Sequence, residues 1–230
     1  MTYDFDADPQ FVATYEKGPR WFIPGYDAIH GMAAALFLDR IGPQGRLLIL
    51  GAGGGAEIAA LAKRGQWNFS GIDPSEQMLA LAQHIITREG IDATRVTLAK
   101  GFIPDAPEGP FDGATCFLTL PFLPDDGTRL DALKAIRQRL KPGAPFLMVH
   151  ACGEQNAPAF QRTLALYGLH GKLNGAPDDV VQRAIDMNAS VLRILPEARE
   201  MALLSEAGFR RAESFYQGLM VKGWICEAAT

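Results

Sequence analysis

Residues Leu47 to Leu61 read LLILGAGGGAEIAAL: an apolar run, a cluster of glycines, then helical spacing. Gly51, Gly53 and Gly55 form a GxGxG pattern. Glycine accepts the positive φ that such a turn requires and keeps side chains out of a ligand's path. A buried strand, a glycine turn and a helix N-terminus together offer bare backbone to a ligand. With Ala56 the same letters also satisfy GxGxx[GA], a dinucleotide fingerprint, so the loop alone selects no ligand. Asp73 lies twenty residues beyond Gly53 and ends the next expected strand, where a carboxylate can accept from two ribose hydroxyls. Its competing role is to cap the helix after Pro74-Ser75-Glu76, which Ser75 could also do. Three groups are candidates for moving a proton: His150 at the end of an expected strand, Glu154 just beyond it, and His30 on the first helix. A satisfied structural role competes for both histidines.

The elements that must position these groups come from hydrophobic periodicity. The spacing predicts a helix over 28–41 capped by Asp27, then alternating strands and helices: strand 47–50, helix 56–64 ended by Gly65, strand 68–72, helix 75–89 and strand 95–98. An irregular loop over 101–110 leads to strand 111–117, helix 128–140, a Lys141-Pro142-Gly143 turn and strand 146–150. This is the pattern of a parallel sheet covered on both faces, and the near-continuous apolar strands fit burial on both sides. Residues 153–195 read as helices without a strand, a lid over the sheet. Within it Phe160, Tyr167, His170 and Leu173 fall at core-like helical spacings. A helix over 196–207 follows, ended by Gly208. Strands 210–215 and 220–227, separated by YQGL, close the chain as an antiparallel hairpin.

The chain of 230 residues is expected to be one domain: N-terminal cap helices over 1–45, a cofactor-binding core over 46–150, the lid over 153–195 and a closing helix and hairpin over 196–230. With 48% hydrophobic and 21% charged residues it has a globular profile. A net charge of −4 gives no general attraction to nucleic acid, and Arg137, Arg139 and Lys141 read as one solvated helix face. The acidic start, MTYDFDADPQ, does not fit a signal peptide, and no apolar run reaches the roughly 18 residues of a membrane span. Cys116, Cys152 and Cys226 form no CxxC pair and are expected as buried thiols in the cytoplasm. The four histidines lack metal-ligand spacing, so no metal is expected.

Order and spacing supply a resemblance. FDGATCFLTLPFLPDD, then a helix, then LKPGAPFLMVH, with LLSEAGFRRAESF before a last strand, resembles the class I S-adenosylmethionine-dependent methyltransferases over roughly residues 20 to 227. The resemblance implies a Rossmann-like, doubly wound, mostly parallel seven-stranded α/β sheet with a C-terminal antiparallel hairpin and a helical lid. It implies S-adenosyl-L-methionine as cofactor, S-adenosyl-L-homocysteine as product and a small-molecule acceptor; a homodimer is left open. WFIPGYDAIHGM and FYQGLMVKGWI are similar to segments of carboxy-S-adenosylmethionine synthases and related small-molecule methyltransferases, which implies Tyr26 near the sulfonium or the cofactor's carboxyl. Cofactor contacts are implied at Gly51, Ala52, Gly53, Gly55, Asp73 and Pro74, and further along at Met78, Gly101, Phe102, Phe117 and Leu118.

Two positions depart from the family. Ile49 stands where an acid usually precedes the glycines, and Phe102 where an acid usually reaches adenine; Phe102 is expected to stack on the adenine plane, its backbone supplying the polar contact. A synthase would also need a lid arginine, for which Arg162, Arg183 and Arg193 are candidates. TLPFL lacks the Asn or Asp that would hold a planar amine, which disfavours nucleobase methylation. The rival readings are a carboxy-S-adenosylmethionine enzyme, an NAD(P)-dependent oxidoreductase, disfavoured by the terminal hairpin, and a silent adenosyl-binding scaffold.

Overall fold

The computed structural model describes Asp6, Val12 and residues 14–229. Among the described residues, the helices α1 (Gly18–Phe22) and α2 (Tyr26–Ile41) precede the sheet. The expected cap at Asp27 is not used. Gly25 is the N-cap in a left-handed conformation, φ 68°, and Asp27 sits inside the first turn, where it ion-pairs with Arg20. Glycine suits that position because the chain must turn sharply between the two helices.

The alternation then runs β1 (Gln44–Leu50), α3 (Ala56–Ala62), β2 (Gln66–Asp73), α4 (Glu76–Arg88), β3 (Val96–Lys100), β4 (Gly113–Phe117), α5 (Thr128–Gln138) and β5 (Pro145–Ala151). Strand order in the seven-stranded sheet is β3-β2-β1-β4-β5-β7-β6, where β6 is Phe209–Gly218 and β7 is Val221–Ala228. β1 to β5 are parallel; β7 inserts antiparallel beside β5 and pairs antiparallel with β6. The order reverses between β1 and β4, and open α/β sheets bind ligands outside the strand C-termini at such a reversal.

Central strands are apolar because both faces are covered: Leu47 to Leu50 are fully buried, and all seven residues of β5 are buried. α2 and α3 cover one face, around Phe37, Ile49, Ile58 and Trp67. α5 and α8 (Glu197–Glu206) cover the other, around Leu133, Ile136, Leu203 and Trp224. The basic residues at the end of α5 and just beyond it, Arg137, Arg139 and Lys141, are not one solvated face. Arg139 is buried and donates to the carbonyls of Ala106, Ala135 and Pro104, Arg137 reaches the Ala229 carbonyl, and Lys141 pairs with Asp112.

Several boundaries move for local reasons. Phe111 makes only an isolated bridge to Leu140, so β4 begins at Gly113. The hairpin is tighter than YQGL suggested. Tyr216, Gln217 and Gly218 remain in the ladder, and the turn is Leu219-Met220 with Leu219 at φ 55°. The Tyr216 hydroxyl donates to the Pro24 carbonyl, tying the hairpin to the loop between α1 and α2.

The lid comprises α6 (Pro158–Leu173), α7 (Asp178–Asp186) and a π-helical turn, Met187–Val191. Phe22 of α1 stacks on Tyr167, ring centroids 5.1 Å apart, and lies so close to Gly171 that a Cβ there would collide with it. Phe160 is buried as expected, but Leu173 is 78% exposed. The three cysteines are free, buried thiols. No described helix is long and apolar enough to cross a membrane.

Candidate active site

Beyond the C-terminal ends of β1, β2, β4 and β5 lies a cavity of about 660 Å³. Its floor is built by the loop leaving β1. Gly51, Gly53 and Gly55 take φ values of 69°, 49° and 75°, conformations that a side chain disfavours. A Cβ at Gly51 would collide with the Thr119 hydroxyl, and one at Gly53 with the hydroxyl of Tyr15. Tyr15 therefore lies across the glycine loop, a placement the sequence did not signal. Gly55 does different work. It is the N-cap of α3, and a Cβ there would stand 2.9 Å from the Ala82 Cα, so it sets the close approach of α3 to α4.

Asp73 ends β2 at 7% exposure and lines the cavity. One carboxylate oxygen accepts from the Gly53 N–H and the other from the Ser75 N–H, each at 2.9 Å. It thereby clamps the glycine loop to the start of α4. Each oxygen can accept more than one hydrogen bond, so Asp73 retains acceptor capacity toward the cavity. Burial pushes its carboxyl above the ordinary range, and the two N–H donors oppose that shift. Ser75 is the true cap of α4, accepting from the Met78 N–H. The Asp6 carboxylate accepts from the Ser75 hydroxyl and from the N–H groups of Glu76 and Gln77, closing this end of the site with a second acid.

Pro74, Met78, Gly101, Phe102 and Ile103 make an apolar cleft beside Asp73. Phe102 is 49% exposed, consistent with a ring that lies open to a ligand face. Its backbone is already engaged, however. The N–H donates to Asp105 Oδ2 at 3.0 Å and is not free for the polar contact expected there; the carbonyl accepts from the Asp105 N–H at 2.9 Å and keeps capacity for a second donor.

Of the other sequence-derived positions, Phe117 and Leu118 line the cavity, while Tyr26 and Ala52 do not. The Tyr26 ring packs edge-on against His30 at 4.8 Å, and His30 lies 6.1 Å from the Phe117 ring. His30 is 3% exposed and outside the cavity wall, and burial pulls its pKa down to about 4, leaving it neutral at ordinary pH. Glu154 is exposed and also lies outside the wall. Among the arginines Arg183 reaches the cavity, already paired with Asp179 at 2.8 Å; Arg162 and Arg193 do not reach it.

His150 is the proton-transfer candidate that lines the cavity. It is fully buried on β5, with Nε2 3.2 Å from Glu200 Oε1. The same Glu200 oxygen accepts from Arg129 Nη1 at 2.6 Å. Burial drives the Glu200 carboxyl up, but His150 and Arg129 outweigh it and hold it below the ordinary range. Arg129 is anchored in turn by the carbonyls of Leu123 and Arg193. Glu200 and Arg129 come from α8 and α5, far from His150 in sequence, and no local spacing announces them. Phe22 of α1, with Tyr167, Val180, Met187 and Leu192 from the lid segment, gives the chamber apolar walls.

Comparison with known proteins bears on the fold that carries this cavity. Residues 48–146 match a family model described as a methyltransferase domain. Over 99 residues the chain is 34% identical to a ubiquinone biosynthesis O-methyltransferase of Pseudomonas entomophila, a match covering 43% of this chain and 40% of that protein. A S-adenosylmethionine-dependent methyltransferase from Aquifex aeolicus superposes with a TM-score of 0.63 at 16% identity, covering 96% of this chain and 99% of that one. A Burkholderia thailandensis 1,6-didemethyltoxoflavin N1-methyltransferase, solved with its acceptor and S-adenosylhomocysteine, gives 0.63 at 18% identity over 96% and 86% of the two chains. At such identities the likeness is one of fold.

Proposed function

From a chain that has the class I S-adenosylmethionine-dependent methyltransferase fold, with a methyltransferase domain matched across its central strands, we propose methyl transfer from S-adenosylmethionine to a small-molecule acceptor. The observation that carries the reading is Asp73, a cavity-lining acid that bridges the glycine loop to the start of α4 and keeps acceptor capacity for ribose hydroxyls. The residues fit the cofactor: Gly51 and Gly53 line the cavity with Tyr15 lying over the loop, and the apolar cleft of Pro74, Met78 and Phe102 suits the faces of adenine. When bound, the cofactor supplies an electrophilic methyl on a sulfonium.

The protein's part is alignment and desolvation. Phe117 and Leu118 line the cavity at the end of β4, the strand beside β1, so they would border both a cofactor over the glycine loop and an acceptor held by Phe22, Tyr167 and Met187. Such positioning accounts for a large share of the acceleration in two-substrate reactions. His150 is the base for an acceptor bearing an acidic O–H or N–H, taking the proton as attack proceeds, while Glu200 steadies the imidazolium and Arg129 holds Glu200 in place. The apolar chamber favours a ring-bearing acceptor of low charge.

Calorimetric titration of wild type and Asp73→Ala with S-adenosylhomocysteine, NAD and NADP tests the reading. Micromolar binding of the homocysteine compound alone, weakened at least tenfold by the substitution, is expected. Tighter binding of a nicotinamide dinucleotide, or no binding of the homocysteine compound, would overturn it.

A further inference from the structure

One buried acid has no part in the scheme above. Glu57 is the second residue of α3, 7% exposed, and its Oε1 has no hydrogen-bond partner among the described residues. The Thr115 hydroxyl is buried beside it and is the polar group that faces this carboxyl. Thr115 pairs in register with Ile49 across β1 and β4, on the sheet face that α2 and α3 cover. Two residues further along β4, on the same face, Phe117 lines the cavity, and two residues before Glu57 the glycine loop ends. A carboxyl with an unsatisfied oxygen thus sits behind the wall between the glycine loop and β4. A structural acid in an apolar layer is costly unless something compensates its charge.

We propose that Glu57 is the counter-charge for the α-ammonium group at the aminoacyl end of the cofactor. It is held behind the glycine loop and ionises when that group arrives. The proposal rests on the methyltransferase reading and assigns one end of its ligand. It also offsets the apolar Ile49: a carboxyl reaches the Ile49–Thr115 position from the helix side instead of from the strand. Opposite charges attract strongly where the medium between them is protein and not water.

The surrounding groups make the coupling readable. Burial pushes the Glu57 carboxyl up to about 8, opposed only by the Thr115 hydroxyl, so at pH 7 the empty site holds it protonated. The ionisable groups around it stay neutral at that pH. From the N-terminal segment Tyr15, from α2 Tyr26 and from β4 Cys116 are all pushed upward by burial, and His30 is pulled down to about 4. Binding an ammonium that keeps its own proton therefore sends the Glu57 proton to solvent.

The test is calorimetric titration at pH 7 in two buffers of different protonation enthalpy. The ligands are S-adenosylhomocysteine and 5′-methylthioadenosine, which shares the adenosine but lacks the aminoacyl end. Wild type is expected to release close to one proton with the former and none with the latter, and the release is expected to vanish at pH 9.5. Glu57→Gln is expected to release none, to bind S-adenosylhomocysteine at least tenfold more weakly, and to bind 5′-methylthioadenosine as wild type does. Wild type that binds S-adenosylhomocysteine without releasing a proton, or a Glu57→Gln variant of unchanged affinity, would overturn the assignment while leaving the cofactor reading standing. Failure of both ligands to bind wild type would overturn both. The wild-type proton count stands even if the variant does not fold.

Discussion

At the scale of single residues, the site divides into groups whose chemistry is local and groups that matter only through partners. His150→Gln removes the proposed base and keeps most of the volume. With a hydroxylated acceptor we expect turnover to fall about 10²–10⁴-fold, the usual contribution of a positioned base, while affinity for S-adenosylhomocysteine is unchanged. Equal loss of cofactor binding would instead make His150 a structural residue. Glu200 is a sterner case. Glu200→Ala leaves Arg129, fully buried, without its carboxylate, and breaking such a pair costs about 3–5 kcal/mol. Urea unfolding of the variant should show a loss of that size. The sequence displayed the glycine loop, Asp73 and His150 because strand ends and turn chemistry are local signals. It concealed Glu200 and Arg129, which meet His150 only through the packing of two helices on one sheet face. Glu57 left a faint trace, an acid inside the apolar stretch AEIAALA.

Among the elements, the packing of α3 against α4 shows how a motif can be read correctly as glycine and still be given the wrong work. GxGxG treats its third glycine as part of a ligand cradle, yet Gly55 faces Ala82 and not the cavity. Gly55→Ala puts a side chain at φ 75° and a Cβ 2.9 Å from the Ala82 backbone, a combination of strain and overpacking. A stability loss of about 2–4 kcal/mol follows, measurable by urea denaturation. S-adenosylhomocysteine affinity measured in the folded range should change far less. The order of strands and helices was legible because β5 and the second half of β1 are apolar runs, and because Gly65 and Gly208 punctuate the ends of α3 and α8. The elements whose role was hidden are those fixed by distant contacts. α1 is only five residues long and is held by the stack of Phe22 on Tyr167 of the lid. The hairpin turn is two residues long because the ladder runs on through Gly218↔Val221, with Leu219 at φ 55° making the turn, while the Tyr216 hydroxyl ties the hairpin to the distant Pro24 carbonyl.

For the whole molecule, the buried ionisable groups predict a particular dependence of stability on pH. A group adds to stability with rising pH wherever the unfolded chain binds more protons than the native one, and subtracts where it binds fewer. His30, pulled from 6.5 to about 4, is neutral in the fold while the unfolded chain is protonated, so it makes stability rise between about pH 4 and 6.5. Glu57, pushed from 4.5 to about 8, stays protonated in the fold after the unfolded chain has ionised, so it makes stability fall between about pH 4.5 and 8. The two nearly cancel below pH 6.5. Above it Glu57 acts alone among this pair, with a slope approaching 1.4 kcal/mol per pH unit. For a chain of this length, each kcal/mol moves the melting temperature by about 2–4 °C. Melting curves of the wild type should therefore decline from pH 6.5 to 8, and those of Glu57→Gln should stay nearly flat. Saturating S-adenosylhomocysteine should reduce the wild-type decline, because a ligand that favours ionised Glu57 binds the native state more tightly as pH rises. A wild-type profile already flat over that range would mean that the Glu57 carboxyl ionises in the empty fold, with a cation or donor of the protein itself beside it.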